Sequence, residues 1–128
     1  ATGPVGAETE TILLAEDEAV VREFTKKLLE EYGYTVIEAI DGEDAIVKFK
    51  MYRDSIQLLI LDAIMPKKSA REVYGEIKKM NPGIKVLFTS GYPADIVHKD
   101  NIEEGFDFIE KPVSPIILLK KVRDALDK

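Results

Sequence analysis

The stretch LLILD at residues 58–62 places four large aliphatic side chains directly before a carboxylate. A continuous apolar run of this length is typical of a strand buried on both faces, as in a parallel sheet. Asp62 should then lie at the carboxyl end of the strand, which is the edge where open α/β sheets bind ligands. A second apolar run, residues 12–15, ends in Glu16-Asp17-Glu18. We expect the two strands to deliver carboxylates to one edge, where like charges repel unless a cation lies between them.

The bulk composition limits the class of protein. The chain has 128 residues, of which 45% are hydrophobic, and this length fits one domain with a core of its own. The net charge of −6 argues against a nucleic-acid or anionic-membrane partner, because few groups would neutralise phosphates. The absence of cysteine excludes disulfides, thiolate catalysis and zinc–thiolate sites. We find no apolar stretch long enough to span a bilayer and no signal-peptide pattern, which favours a cytoplasmic domain.

Apolar runs alternate with helical patterns five times along the chain, which predicts a parallel sheet with helices on both faces. Residues 1–10 are small and polar and indicate a linker or a cloning remnant, so the folded domain should cover residues 11–128. The predicted strands are residues 11–15, 35–39, 58–61, 85–89 and 107–109. The predicted helices cover residues 19–32, a segment after Asp41, a segment capped by Ser69, residues 94–104 and residues 115–126.

Further polar groups should reach the same edge of the sheet. The fourth strand ends in Thr89-Ser90-Gly91 and the fifth in Glu110-Lys111-Pro112. Carboxylates on Glu16, Asp17 and Asp62 suit a hard divalent ion such as Mg²⁺. Asp62 could attack phosphorus as a nucleophile, while Lys111 neutralises charge and Ser90 donates a hydrogen bond. Taken singly, Lys111 and Ser90 are more often a surface lysine and a turn residue, so the prediction rests on their combination.

Four motifs, ILLAEDE, LLILDAIMP, LFTSG and FIEKP, resemble in order and spacing the response-regulator receiver domain of two-component signalling. The resemblance covers about residues 11–126. It implies a doubly wound, flavodoxin-like α/β fold with a five-stranded parallel sheet in the order 2-1-3-4-5 and five helices. It also implies that Asp62 is the phosphoacceptor, with Lys111 beside it. The Mg²⁺ ligands would be Glu16, Asp17, Asp62 and the backbone carbonyl of Ile64.

The resemblance further assigns residues to switching and to the lifetime of the phosphoryl group. Ser90 matches the switch hydroxyl and Phe108 the switch aromatic, whose movement would change a surface that a partner reads. The side chains of Ile64 and Tyr92 would tune hydrolysis. Two positions depart from the family pattern: Glu16 replaces the commoner Asp, and Ala70 replaces the usual Gly, which predicts an altered loop at residues 67–69.

The function that the resemblance implies is a phosphoryl-accepting switch. A phosphohistidine on a histidine kinase or phosphotransfer domain would donate to Asp62 with the help of Mg²⁺, and a downstream protein partner would respond. The opening residues 6–18, GAETETILLAEDE, are similar to receivers at the C-terminus of hybrid sensor histidine kinases. The parent chain would then be a kinase that can be membrane-anchored, whereas the receiver itself is not a dedicated enzyme. A stand-alone single-domain response regulator is the alternative, and in neither case do we expect this domain to contact nucleic acid or membrane.

Two rival classes stay open at this point. A phosphohydrolase that forms an aspartyl phosphate would want a second Asp two residues after the nucleophile, where this chain has Ile64. A flavodoxin-like cofactor binder would want a phosphate loop rich in hydroxyls and glycine after the first strand. Glu16-Asp17-Glu18 would instead repel a phosphate in the absence of metal.

Overall fold

The computed structural model describes residues 10–91, 107–111 and 114–128. Within this part of the chain, the strands are β1 (Thr11–Ala15), β2 (Thr35–Ala39), β3 (Ile56–Asp62), β4 (Lys85–Ser90) and β5 (Phe108–Glu110). The helices are α1 (Ala19–Glu31), α2 (Gly42–Tyr52), α3 (Ala70–Met80) and α4 (Pro115–Asp127). The helix predicted at residues 94–104 and nearly all of the linker predicted at residues 1–10 lie outside the described residues.

The five strands form one sheet in the order β2-β1-β3-β4-β5, and every neighbouring pair is parallel. This confirms the predicted doubly wound α/β architecture. The register pairs Asp62 with Thr89 and Ser90 with Glu110. Because all strands run in the same direction, the residues that follow them meet at a single edge.

The sheet is buried on both faces, which explains the apolar runs at residues 12–15 of β1 and 58–61 of β3. Alternate residues of each strand point to opposite faces, so each face has its own core. The core shared with α2 and α3 includes Leu13, Leu59, Leu61, Phe49 and Ile77. The core shared with α1 and α4 includes Ile12, Leu58, Ile60, Leu29 and Val122.

Local capping residues set the starts of α2 and α3. The Asp41 carboxylate accepts a hydrogen bond from the backbone N–H of Asp44 at 2.8 Å. Ser69 and Glu72 form the predicted reciprocal capping box. Ser114 occupies the N-cap of α4 with Pro115 after it, but its side chain makes no capping hydrogen bond there. None of the described helices combines the length and the apolarity needed to cross a bilayer.

Three strands differ from their predicted bounds, since β3, β4 and β5 each end one residue later than predicted and the starts of β3 and β5 also differ. β3 begins at Ile56, two residues early, because the exposed Gln57 interrupts the apolar run while Ile56 beyond it is buried. β5 begins at Phe108 instead of Asp107, although the carbonyl of Asp107 still accepts a hydrogen bond from the N–H of Phe88 at 3.1 Å.

Candidate functional site

The carboxyl edge of the sheet brings together the predicted site residues that follow β1, β3 and β5. Asp62 is the last residue of β3 and is buried, with 6% of its surface exposed. The N–H of Ala63 donates to the carbonyl of Thr89 at 2.7 Å, and the N–H of Lys111 donates to the carbonyl of Ser90 at 2.7 Å. These backbone hydrogen bonds hold the ends of β3, β4 and β5 side by side.

Three carboxylates converge at this edge. Oxygens of Glu16, Asp17 and Asp62 all lie within 4.8 Å of one another. Glu16 is buried and its Oε2 accepts a hydrogen bond from the backbone N–H of Glu18 at 3.1 Å, whereas Asp17 is exposed. The acids adjoin a shallow cleft of about 260 Å³, which is lined by Asp17, Glu18, Asp62, Ile64, Gly91 and Lys111.

Lys111 bridges two of these acids. Its Nζ donates to Oδ2 of Asp62 at 3.0 Å and also to Oε1 of Glu16. The second oxygen of Asp62, Oδ1, accepts a hydrogen bond from the backbone N–H of Ile64 at 3.4 Å. Asp62 is therefore held by one cation and one amide at the mouth of the cleft.

Burial dominates the electrostatics of the site. It raises the pKa of Glu16 to about 7, although the hydrogen bond from Lys111 opposes the shift, and the negative charge of Asp62 adds to it. Burial also raises the pKa of Asp62, against the attraction of Lys111. Burial acts to lower the pKa of Lys111, but its hydrogen bonds and charge interactions with Glu16 and Asp62 outweigh it and raise that pKa, so the ammonium stays protonated. One lysine thus leaves the three acids only partly neutralised.

The donor set fits the predicted Mg²⁺. All three side chains offer oxygen, which is the ligand type that Mg²⁺ prefers, and Asp17 and Asp62 both line the cleft. Ile64 lines the cleft too, as a carbonyl ligand must. Ile64 is apolar and 42% exposed, and its effect on hydrolysis stays a prediction.

The residues predicted to act in switching lie on β4 and β5, the last two strands on one side of the sheet. Ser90 is fully buried as the last residue of β4. Phe108 opens β5, pairs in register with Phe88 and packs partly buried against the core. Tyr92 lies outside the described residues, and so does most of the segment that links β4 to β5.

A contact that the sequence did not indicate holds the loop after Asp62. The N–H of Gly42, at the start of α2, donates to the carbonyl of Pro66 at 3.4 Å. A Cβ on Gly42 would lie only 2.3 Å from the carbonyl oxygen of Lys68. Lys67 has a left-handed backbone, with φ of 70°, and its Nζ lies 3.6 Å from Oδ2 of Asp41. The pair Asp41-Gly42 had indicated only a helix start, although a glycine there is also the signal for close backbone approach.

Ala70, where the family pattern favours Gly, is the first residue of α3 and is fully buried. Its N–H donates to the carbonyl of Ala63 at 3.3 Å. Its methyl group is thus accommodated inside the protein, and whether it alters the loop at residues 67–69 stays a prediction.

Comparison with known proteins identifies the family. The model of the response regulator receiver domain matches residues 12–123. The chain is 33% identical over 119 residues to the sensor kinase CckA of Brucella abortus, covering 92% of this chain and 13% of that protein. It is 34% identical over 113 residues to the response regulator RR06 of Streptococcus pneumoniae, covering 88% of this chain and 51% of that protein. The chain therefore spans about an eighth of the length of the first of these relatives and about half of the length of the second.

Solved structures agree with the sequence relatives. The receiver domain of the hybrid histidine kinase CckA superposes with a TM-score of 0.78 at 34% identity, covering 91% of this chain and 98% of that one. A receiver domain protein from Clostridium thermocellum gives a TM-score of 0.83 at 28% identity, covering 92% and 94%. The family match, the parallel sheet and the acidic cleft at its carboxyl edge agree, and the chain belongs to the response-regulator receiver domain family.

Proposed function

We propose that this receiver domain accepts a phosphoryl group on Asp62 from a phosphohistidine of a histidine kinase or phosphotransfer domain. The observation that carries the proposal is the position of Asp62. It is a buried carboxylate at the end of β3, within 4.8 Å of the acids of Glu16 and Asp17 and hydrogen-bonded to Lys111. Membership of the receiver family favours this reading over the phosphohydrolase and the flavodoxin-like cofactor binder.

The transfer forms one bond and breaks one. A carboxylate oxygen of Asp62 attacks phosphorus, and the phosphorus–nitrogen bond to the donor imidazole breaks, leaving an aspartyl phosphate and a free histidine. Lys111 supplies positive charge next to the new phosphoryl oxygens. Mg²⁺ would be held by Asp17, Asp62 and the carbonyl of Ile64, with Glu16 behind them. When bound, the ion would neutralise charge on the phosphoryl group.

Readout is proposed to run through the neighbouring strands β4 and β5. Ser90 would move toward the phosphoryl group and donate a hydrogen bond to it. Phe108 would then turn into the space that Ser90 leaves. The altered surface would then be recognised by a downstream protein partner. Ile64, and Tyr92 outside the described residues, would set how long the phosphoryl group survives.

The context of the domain is proposed from its relatives. Similarity to the receiver of a hybrid histidine kinase supports a hybrid kinase as the parent chain, with residues 1–10 as linker and residues 11–128 as the receiver. The match to a response regulator keeps the stand-alone alternative open. In either context we propose a cytoplasmic domain that contacts proteins, not nucleic acid or membrane.

Intact-mass spectrometry tests the site. With Mg²⁺ and acetyl phosphate, the wild-type chain should gain one phosphoryl group and Asp62→Asn should gain none. Asp54→Asn is a matched control, because this exposed acid precedes β3 and lies at the opposite edge of the sheet from Asp62. Labelling of Asp62→Asn to the wild-type extent would show that another residue is the acceptor.

A further inference from the structure

Arg22, in the first turn of α1, contacts the loop that follows β1, which we call the acidic loop (residues 16–18). Its Nη1 donates to the backbone carbonyl of Glu16 at 2.7 Å, and its Nε donates to Oε1 of Glu38 at 3.3 Å. The side chain is largely buried, with 16% of its surface exposed. A planar guanidinium can hold two acceptors in fixed directions, which an ammonium cannot do as well.

The second acceptor, Glu38 on β2, is itself held in place. Lys26 donates to its Oε2 at 3.2 Å, and Lys48 of α2 donates to its backbone carbonyl at 2.9 Å. Glu38 is thereby tied to α1 and α2 as well as to the sheet. Arg22 consequently links the loop after β1 to a fixed point on β2.

The Glu16 carbonyl belongs to the peptide bond that joins Glu16 to Asp17. A peptide unit is planar, so fixing the direction of its carbonyl also fixes the direction in which the chain enters Asp17. Within the described part of the chain, the exposed Asp17 side chain forms no hydrogen bond that would orient it, so its direction is set by the backbone. The contact from Arg22 therefore acts on the acid that lines the cleft.

We propose that Arg22 is a positioning residue, which holds the Glu16–Asp17 peptide so that the Asp17 carboxylate faces the divalent cation. The inference rests on the proposed function, since it takes Asp17 as a metal ligand. Outer-shell contacts of this kind commonly change metal affinity by one to two powers of ten.

The direction in which Mg²⁺ affinity changes when Arg22 is replaced distinguishes a positioning role from a simple effect of its charge. Arg22 carries a positive charge near a cation site, so loss of that charge alone should tighten Mg²⁺ binding by removing repulsion. Loss of the contact to the Glu16 carbonyl should instead weaken Mg²⁺ binding. Without that contact the acidic loop is less ordered, and Mg²⁺ binding must then order it. The two explanations predict opposite changes for the same variant.

The experiment compares Arg22→Met with Lys26→Met. Each variant removes one cation and one ion pair to Glu38, but only Arg22 contacts the acidic loop. Mg²⁺ affinity is measured by titration calorimetry on metal-stripped protein. We expect Arg22→Met to bind Mg²⁺ about tenfold more weakly and Lys26→Met to bind within about twofold of wild type. Arg22→Lys keeps the charge and one donor and should fall between them.

A second readout needs no metal. The N–H of Glu18 donates to Oε2 of Glu16, so its hydrogen exchange reports the order of the loop. This amide should exchange faster in Arg22→Met than in Lys26→Met at matched global stability. If Arg22→Met does not fold, the same two measurements on Arg22→Lys decide the question.

Equal or tighter Mg²⁺ binding in the Arg22 variants, with unchanged exchange at Glu18, would overturn the assignment while leaving the proposed function intact. A wild-type chain that binds no Mg²⁺ would overturn the proposed metal site and this inference together.

Discussion

At the scale of single residues, Glu16 and Asp17 are neighbours in the chain with different surroundings. Both oxygens of Glu16 are engaged, one by Lys111 and one by the N–H of Glu18, and the side chain is buried. Asp17 is exposed and lines the cleft. We therefore expect Asp17→Asn to weaken Mg²⁺ binding by at least tenfold, as loss of a direct ligand should, and Glu16→Gln to weaken it less. Calorimetric titration measures both, and a larger loss in Glu16→Gln would reverse the assignment of the nearer ligand.

The raised pKa of Glu16 predicts a pH dependence of stability in metal-free protein. Between its ordinary value of 4.5 and about 7, the folded chain holds a proton on Glu16 that the unfolded chain has released. The free energy of unfolding should then fall as pH rises through this window, by at most about 1.4 kcal/mol per pH unit. Urea unfolding at several pH values, with a chelator present, measures the slope.

Glu16→Gln is the control for this pH effect, because the amide cannot titrate. Its stability should vary less with pH between about 5 and 7 than that of the wild-type chain. Asp62, whose pKa is also raised by burial, remains in the variant and contributes a slope of the same sign. If the free energy of unfolding varied equally with pH in the two proteins, folding would not raise the pKa of Glu16.

At the scale of secondary-structure elements, the start of α2 packs directly on the loop between β3 and α3. A methyl group on Gly42 would meet the Lys68 carbonyl oxygen at 2.3 Å and its carbonyl carbon at 2.9 Å, both backbone atoms. We expect Gly42→Ala to lower the free energy of unfolding by about 1–3 kcal/mol. Because the displaced loop follows Asp62, phosphorylation by acetyl phosphate should also slow, and intact-mass time courses measure that rate.

Gly75 provides the matched control for the same substitution. It lies in the middle of α3, and a Cβ there would meet no atom of the described residues within 4 Å beyond its chain neighbours and the adjacent helix backbone. Gly75→Ala should stabilise the protein by about 0.5–1 kcal/mol, because alanine loses less backbone entropy in a helix. Wild-type stability and wild-type phosphorylation in Gly42→Ala would show that the loop can shift without consequence.

At the scale of the whole molecule, the metal site should couple to global stability. Three acids from β1 and β3 meet only when the sheet forms, so Mg²⁺ binds the folded chain preferentially. Mg²⁺ at ten times its dissociation constant should add about 1.4 kcal/mol, which raises Tm by several degrees in a domain of this size. Asp17→Asn should lose most of this shift and Asp54→Asn should keep it. Wild-type protein with an unchanged Tm in millimolar Mg²⁺ would contradict a preformed site.

Local sequence patterns determined the architecture and the edge at which the site lies. Continuous apolar runs are typical of strands buried on both faces, which predicted residues 11–15 with the bounds that β1 has. Residues 35–39 were also predicted with the bounds of β2, although this strand includes Glu38. A parallel sheet collects the carboxyl ends of its strands at one edge, so the sequence predicted that Asp62, Glu16, Asp17 and Lys111 lie together. The start of β3 was predicted two residues late, because a single exposed residue, Gln57, breaks the apolar run.

Only the tertiary structure decided which atoms pair within that edge. Lys111 reaches Glu16 across 95 residues of chain and Asp62 across 49. The contacts of Arg22 with Glu38 and of Gly42 with the Lys68 backbone likewise depend on how α1 and α2 pack on the sheet. Local propensity and periodicity act over a few residues, whereas these distances and the burial that raises the pKa of Glu16 arise from the packing of distant segments.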